Sequence, residues 1–257
     1  AALEAGVVTE SYQTFCTGKL KLGNHTFHCW KKHGHGLQNM TEAIEHSCDV
    51  YFYEIARKTG INRIAAMAER FGLGAETGIG VGGERTGLVP TKEWKLATIG
   101  EPWQGGETLN VGIGQGHLLT TPLQLAMMTA QLANGGKRGR PRLMYSPKAE
   151  TPKSGEAAET ATEIKGEPVS LGLSEHALAI VREGMWRVTN SETGTAYRAR
   201  IKDPAMAMAG KSGTAQVRRI SKYERETRVL KNKERLWKER DHALFVAYAP
   251  VDAPRYA

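Results

Sequence analysis

Long apolar runs are missing from this chain. No stretch approaches the roughly 18 consecutive apolar residues that a bilayer-crossing helix requires, and no signal peptide is visible. Internal repeats are absent as well. Of the 257 residues, 40% are hydrophobic and 24% are charged, which is enough to build a full buried core. We therefore expect one globular domain spanning 1–257, in which helices and strands are mixed.

Features of nucleotide and nucleic-acid binding are also missing. The glycine-rich segment 112–116 (GIGQG) lacks the Gly-x-Gly-x-x-Gly spacing, and no Walker lysine follows it. The net charge of +8 would suit nucleic acid, an anionic membrane surface or an acidic polymer. Basic residues are not interleaved with aromatic ones on one element, so nucleic acid is the least favoured partner. Much of the positive charge lies in 218–240, where Glu alternates with Lys and Arg, a pattern typical of a solvated helical face.

The most informative segment that is present runs from 206 to 217 (MAMAGKSGTAQV). Its alternating apolar pattern predicts a half-buried strand. Gly213 leaves room for a second backbone to approach. Lys211 supplies a positive charge, Ser212 and Thr214 supply hydroxyls for a carboxylate, and the Thr214 N–H could face a developing oxyanion. A Lys-Ser/Thr-Gly strand is one of three signatures of penicillin-recognising acyl-transfer enzymes, although a lysine at a strand edge can also be purely structural.

The triplet Ser47-Cys48-Asp49 matches a second signature, Ser-x-Asn/Asp. A capping-box pattern at 39–42 (NMTE) predicts that a helix begins there, and the helical pattern continues to a stop at Gly60. The triplet therefore lies at a break between two helices within 40–59. Such a break can direct the Ser47 hydroxyl and the Asp49 carboxylate into a cleft. The alternative is that Asp49 merely caps the second helix.

Four segments, in this order, resemble those of the class B penicillin-binding proteins, the peptidoglycan transpeptidases, and in particular their cell-elongation subgroup. They are 47–54 (SCDVYFYE), 84–94 (ERTGLVPTKEW), 112–124 (GIGQGHLLTTPLQ) and 211–217 (KSGTAQV). The similarity extends over nearly the whole chain. Asp at position 49, where Asn is commoner in the wider family, is usual for the elongation subgroup. The resemblance implies the α+β fold shared with serine β-lactamases, an antiparallel sheet with helices on both faces.

The resemblance also implies a mechanism of serine acyl transfer. A serine attacks the penultimate D-Ala carbonyl of a peptidoglycan stem peptide, its motif lysine acts as base, and the acyl group passes to an amine of a neighbouring stem. Ser47 and Lys211 would relay protons to the leaving nitrogen, and Asp49 would orient that network. The implied substrate-binding residues, which would hold the terminal carboxylate, are Ser212, Gly213 and Thr214. β-Lactams would acylate the same serine, and catalysis would need no cofactor.

The third signature, Ser-x-x-Lys, does not occur in the chain. Residues 1–8 resemble the end of the helix that begins with this motif in the family, so we expect the nucleophile and its lysine upstream of Ala1. We also expect a further strand after Ala257. The chain alone should then be inactive. The family further implies an N-terminal anchor outside this sequence, a periplasm-facing domain at the inner membrane, and as partners a SEDS-type glycosyltransferase and shape-determining membrane proteins.

Two other functions remain open on the sequence. The same fold can serve as a non-catalytic β-lactam sensor or as an activator of a glycosyltransferase, and both would also lack the serine motif. A hydrolytic β-lactamase would need a base that activates the deacylating water, and no residue in the sequence is identifiable as that base.

Three cysteines and one histidine form the series Cys16-x12-Cys29-x5-His35-x12-Cys48. Four soft donors of this kind suit a closed tetrahedral zinc site, with His33 as a reserve ligand. The alternatives are a disulfide between Cys16 and Cys29, which leaves Cys48 unpaired, or inert thiols. Related elongation transpeptidases carry a structural metal in this region with some carboxylate ligands, so the resemblance implies a shift here toward thiolates.

Local patterns predict several further elements. Gly23-Asn24 predicts a hairpin between strands at 14–22 and 25–30. Helices are predicted at 62–71 with Asn62 as N-cap, at 121–134 with Pro122 at the first helical position, and at 174–188. Segment 146–169 is polar and rich in Pro, Glu, Ala and Thr, and we interpret it as a surface excursion within the domain. His46 and His117 are expected to pack or to face solvent.

Overall fold

The computed structural model describes residues 1–143, 169–218, 220–221, 223–224 and 227–257. The helices and strands of the described residues are, in chain order, β1 (Thr14–Cys16), β2 (Lys19–Leu22), β3 (His25–His28), β4 (Gly36–Gln38), α1 (Met40–Glu45), α2 (Asp49–Thr59), α3 (Ile61–Arg70), α4 (Lys92–Ile99), α5 (Gly105–Gly112), α6 (Pro122–Ala133), β5 (Lys137–Arg138), β6 (Val169–Ser170), α7 (Glu175–Asn190), β7 (Ala209–Ala215) and β8 (His242–Tyr248).

The strands pair in twos, and every pair is antiparallel: β1 with β4, β2 with β3, β5 with β6, and β7 with β8. The single large sheet implied by the family resemblance is therefore not present among the described residues. The reason is that β7, the longest strand together with β8, finds only β8 as a backbone partner within this part of the chain. Helix α7 packs against β7, and α6 packs against β8.

The predicted hairpin is confirmed, with β2 and β3 joined at Gly23 and Asn24. The first predicted strand is interrupted, however, because β1 ends at Cys16 and pairs with β4 instead of continuing into β2. Gly18 lies at the interruption with a φ of 91°, and a Cβ there would come within 2.2 Å of the Lys32 carbonyl oxygen. Only glycine fits this close backbone approach.

The predicted helices form with small differences at their ends. The capping box of α1 joins Asn39 and Glu42 as expected, and that of α6 joins Thr121 and Gln124 with Pro122 following the cap. Helix α3 begins at Ile61 with Gly60 as its cap, so the prediction of Asn62 as N-cap was wrong by two positions. Helix α7 continues two residues beyond the predicted end.

The core surrounds the α1–α2 break. Helix α1 packs against α7, and α2 packs against α5. The buried side chains of this cluster include Tyr51, Leu109 and Val188, all fully buried. The break that carries the triplet is thus supported by the largest apolar cluster in the described chain.

The basic segment 218–240 is not one continuous helix. Its described residues include two short 3-10 turns, Asn232–Glu234 and Trp237–Glu239, and residues 227–231 are irregular. Most of its side chains are exposed, as expected. The predicted excursion 146–169 lies outside the described residues except for Val169, which belongs to β6. Within the described chain, none of the helices combines the length and apolarity that crossing a membrane requires.

Candidate active site and metal centre

The α1–α2 break places Ser47 in an unusual backbone conformation. Helix α1 ends at Glu45, α2 begins at Asp49, and Ser47 between them has a φ of 52°. Among the described residues it is the single non-glycine residue with positive φ. Such a conformation costs on the order of 1 kcal/mol and persists only where surrounding contacts enforce it.

Trp30 supplies those contacts from the neighbouring segment. Its indole N–H donates to the carbonyl oxygens of His46 at 3.0 Å and Ser47 at 2.9 Å. Its backbone N–H donates to Oδ2 of Asp49 at 2.8 Å. Trp30 therefore fixes both the carbonyls of the turn and the carboxylate that follows it. Trp30 was not among the site residues predicted from the sequence, although it directly follows the candidate ligand Cys29.

Lys211 approaches the same turn from β7. Its Nζ donates to Ser47 Oγ at 2.5 Å, across a separation of 164 positions, and to the Ser212 carbonyl oxygen at 2.8 Å. The structure therefore brings together all three residues expected to handle protons, Ser47, Asp49 and Lys211. The two motifs are far apart in sequence, so the contact between them is a product of the fold.

Burial changes the proton affinities at this contact. Burial raises the pKa of Asp49 to about 7, although the Trp30 N–H and the Lys211 charge oppose the rise. Burial lowers the pKa of Lys211 to about 8, although Asp49 opposes the fall. A lysine in this range can release and recover a proton near neutral pH. The group is suited to proton transfer through the Ser47 hydroxyl.

The remaining part of the Lys-Ser-Gly-Thr strand is open to solvent. Gly213 and Thr214 are exposed, and Ser212 is half-buried. Two side chains that the sequence analysis missed contact this strand. Thr195 Oγ1 lies 3.3 Å from Ser212 Oγ, and the Gln115 side-chain amide donates to the Thr214 carbonyl oxygen. Gln115 belongs to the GIGQG segment, whose flanking glycines could have suggested a tight loop that presents one side chain.

The predicted metal-ligand quartet also comes together. One donor atom from each of Cys16, Cys29, His35 and Cys48 lies within 4.8 Å of the others. His35 Nδ1 is 3.7 Å from Cys16 Sγ and 3.5 Å from Cys29 Sγ. All three cysteines are buried and unpaired, so the structure contains no disulfide between Cys16 and Cys29. His33 is exposed and lies outside the cluster.

The chemistry of the four donors fits a metal ion. A hydrogen bond with Cys48 lowers the pKa of Cys29 to about 4, while the same contact and burial raise the pKa of Cys48. Burial lowers the pKa of His35 and so favours the neutral imidazole. A thiolate and a neutral imidazole are the forms that bind metals. The cluster could therefore hold a metal ion, and one of its ligands, Cys48, is the residue between Ser47 and Asp49 in the sequence.

Two further histidines, His46 and His117, make packing and polar contacts within the fold. His46 Nδ1 lies 2.7 Å from Gln38 Oε1, and its ring stacks on that of His35. His117 lies 3.3 Å from Glu107 and contacts the Trp94 ring. Neither belongs to the metal cluster, as expected.

Comparison with known proteins gives consistent matches. Residues 1–257 match the penicillin binding protein transpeptidase domain family. Peptidoglycan D,D-transpeptidase MrdA of Acinetobacter baumannii is 38% identical over 234 residues, covering 91% of this chain and 33% of its own length. MrdA of Escherichia coli K12 is 36% identical over 263 residues, covering 100% of this chain and 39% of its own length. The chain thus spans between a third and two fifths of these curated relatives.

Solved structures of penicillin-binding proteins also superpose on this chain. Pseudomonas aeruginosa PBP2, in complex with WCK 5153, superposes with a TM-score of 0.79 at 37% identity, covering 99% of this chain and 51% of that one. Helicobacter pylori PBP2, in a complex with MreC, gives a TM-score of 0.78 at 30% identity, covering 99% and 43%. The chain belongs to the penicillin-binding protein transpeptidase family, as a transpeptidase domain of the PBP2/MrdA type.

Proposed function

We propose that this chain is part of a peptidoglycan D,D-transpeptidase that cross-links stem peptides by serine acyl transfer during cell elongation. The observation that carries the proposal is the contact between Lys211 Nζ and Ser47 Oγ beside Asp49, in a chain of this family. Three groups that can hold or pass a proton meet at one point, next to an open strand that offers hydroxyls.

In this proposal the nucleophilic serine and its lysine come from the segment upstream of Ala1. The serine gives its proton to the motif lysine as its oxygen forms a bond to the penultimate D-Ala carbonyl carbon, and the bond from that carbon to the terminal D-Ala nitrogen breaks. Ser47 donates a proton to the leaving nitrogen and is resupplied by Lys211. Asp49 holds the charge of Lys211 in place. Acceptance of the acyl group by an amine of a second stem then completes the cross-link.

Substrate binding is assigned to β7. The terminal carboxylate of the stem peptide would accept hydrogen bonds from the Ser212 and Thr214 hydroxyls, while Gly213 leaves space for the peptide backbone. The positive charge of Lys211 adds attraction for the carboxylate. β-Lactams, which carry a carboxylate in the corresponding place, would bind in the same way and acylate the same serine.

We propose zinc as the ion of the Cys16, Cys29, His35 and Cys48 cluster, because three thiolates and one imidazole are a common closed zinc set. Bound zinc would supply cross-linking of the fold and no step of the reaction. These four residues would tie β1, the end of β3, the loop before β4 and the α1–α2 break together. The break that carries Ser47 and Asp49 would then be fixed from its buried side.

Two solved relatives support a proposal about the partners and the location of this domain. The Helicobacter pylori relative is known in a complex with MreC, and a structure 29% identical to this chain belongs to a peptidoglycan synthase complex. We propose corresponding partners here, a shape-determining membrane protein and a SEDS-type glycosyltransferase. The domain would face the periplasm from an inner-membrane anchor. In the complete protein, β7 and β8 would join further strands in an antiparallel sheet with helices on both faces.

The experiment that tests the function uses the full-length protein and a stem pentapeptide. Release of D-Ala together with formation of a cross-linked dimer is expected. Absence of both D-Ala release and a covalent penicillin adduct would instead favour the non-catalytic sensor or activator function. Rapid hydrolysis of penicillin with no lasting adduct would favour a β-lactamase.

A further inference from the structure

Glu45 is a buried carboxylate that none of the sequence motifs contains. It is the last residue of α1, two positions before Ser47, and only 4% of its surface is exposed. Its Oε1 accepts hydrogen bonds from Ser191 Oγ and Thr193 Oγ1, each at 2.5 Å. The Arg187 guanidinium lies 4.0 Å from its Oε2. A buried charge is unfavourable unless such partners compensate it. Three of the partners belong to the end of α7 and the loop that follows, and the fourth is the neighbouring His46, whose Nε2 lies 3.6 Å from Glu45 Oε1.

That loop, 191–196, is held against two helix ends. The Thr195 N–H donates to the Glu45 backbone carbonyl at 3.3 Å, and the Ala196 N–H donates to the Val188 carbonyl at 2.9 Å. Gly194 lies so close to the last turn of α7 that a Cβ would come within 2.3 Å of the Arg187 carbonyl oxygen. The loop therefore has little freedom to move while Glu45 holds its two hydroxyls.

The position of this loop matters because of where it places Thr195. The Thr195 hydroxyl lies 3.3 Å from the Ser212 hydroxyl, on the exposed part of β7 that is proposed to bind a carboxylate. Two hydroxyls at this spacing can both donate to one carboxylate, as two hydrogen bonds to a charged acceptor. The end of α1 therefore contacts two parts of the site. It leads directly into Ser47, and through Glu45 it holds the 191–196 loop that places Thr195 beside Ser212.

We propose that Glu45 is a positioning residue for the transpeptidase site, and that Thr195, which it holds in place, is a further carboxylate-binding residue beside Ser212. This inference rests on the proposed function. The class of ligand is a peptide or β-lactam that ends in a free carboxylate. Glu45 itself does not touch the substrate, and its effect passes through the 191–196 loop.

The first experiment measures penicillin acylation by the full-length protein and separates the dissociation constant from the acylation rate constant. Thr195→Val is expected to weaken binding about tenfold with a smaller change in the rate constant, since it removes a hydrogen bond to a charged group. Thr195→Ser should restore binding. Glu45→Ala should weaken binding at least tenfold. Glu45→Gln, which keeps an acceptor oxygen, should weaken it only about threefold.

A double variant tests whether Glu45 acts through Thr195. Adding Thr195→Val to Glu45→Ala should weaken binding less than about twofold further, because the loop is already displaced. Glu183→Gln is the matched control, since Glu183 is an exposed carboxylate that pairs with the same Arg187, and it should bind penicillin as the wild type does. Independent, multiplicative effects of the two substitutions would overturn the proposal, as would unchanged binding in Glu45→Ala.

The second experiment does not depend on activity. Amide hydrogen exchange of the full-length protein should show that Thr195 and Ala196 exchange about threefold faster in Glu45→Gln than in the wild type or in Glu183→Gln. Equal exchange would overturn the role of Glu45 whatever the enzyme does. If the wild type is not acylated at all, the proposed function fails, whereas acylated wild type with unaltered exchange in Glu45→Gln rejects only the inference about Glu45.

Discussion

The turn that carries Ser47 and Asp49 is built from residues close together in the sequence, whereas the Lys211 strand reaches it from 164 positions away. The contacts of the turn come from Trp30 and from the cysteine cluster. By contrast, β7 has a single backbone partner among the described residues and an exposed end at Gly213 and Thr214. The difference indicates that one side of the site, the Ser47–Asp49 turn, is held by nearby segments, whereas the other side, β7, depends on the packing of distant elements.

The largest expected effect comes from disrupting the metal-ligand cluster beside the Ser47–Asp49 turn. In the full-length protein, Cys48→Ala should abolish binding of about one equivalent of zinc and lower the free energy of unfolding by about 3 kcal/mol or more, because structural metal binding is coupled to folding. Metal analysis and thermal unfolding measure both quantities. Acylation by penicillin should fall as well. Cys48 lies between Ser47 and Asp49 in the turn, so loss of its metal contact would free both side chains to move.

His33→Ala is the matched control for the cysteine substitution, since His33 is exposed near the cluster but is not part of it. It should keep its metal and its stability. A purified wild-type protein that contains no metal, and in which thiol counting shows a disulfide between Cys16 and Cys29, would contradict a metal-bound turn.

The second prediction concerns Lys211 on β7. Lys211→Ala in the full-length protein should slow acylation by about 10²-fold or more, because it removes the charge and the proton path at Ser47. The melting temperature should change by only a few degrees, and Lys202→Ala, at an exposed lysine, should change neither quantity. A large loss of stability with unchanged acylation would make Lys211 a structural residue.

The third prediction addresses how the turn is held. Trp30→Phe keeps an aromatic ring but loses the indole N–H that donates to the carbonyls of His46 and Ser47. Loss of this single N–H, which the two carbonyls share and which contributes about 1 to 1.5 kcal/mol, should slow acylation roughly tenfold while metal content stays constant. Stopped-flow acylation and metal analysis on the same sample are the measurements. An unchanged rate would mean that the cysteine cluster alone fixes the turn.

The smallest effect is a pH dependence of stability. Burial lowers the pKa of Lys211 from 10.5 to about 8 in the folded state, so the folded protein loses this proton before the unfolded chain does. Between those two values the unfolded state binds more protons, and stability should rise with pH. Relative to Lys211→Met, the wild type should therefore gain about 1 to 3 kcal/mol from pH 8 to pH 10.5. A constant difference between the two proteins over this range would contradict the shift.

Local features of the site were predictable from the sequence. The helix break at Ser47, the caps of α1 and α6, and the spacing of the four metal ligands depend on short-range patterns that a single sequence displays. The positive φ of Ser47 was not predictable, because serine has no preference for that conformation and Trp30 imposes it from outside.

The contacts around β7 and the 191–196 loop were not predicted, because they join residues far apart in the sequence. Glu45 meets Ser191 across 146 positions, and Gln115 meets Thr214 across 99. No local pattern identifies such pairs, since they arise only once α1, α7 and β7 have packed together. The expected single sheet is not seen among the described residues for a related reason, because it needs strands that those residues do not supply.

Mapping the site of acylation tests the central claim most directly. The full-length protein, treated with labelled penicillin and analysed by peptide mass spectrometry, should carry one adduct on a serine of a Ser-x-x-Lys motif upstream of Ala1. The chain 1–257 alone should carry none, since loss of the nucleophile in a serine enzyme costs on the order of 10⁶ in rate. An adduct on Ser47 or Ser212, or a full-length protein that is never labelled, would contradict the roles assigned to this site.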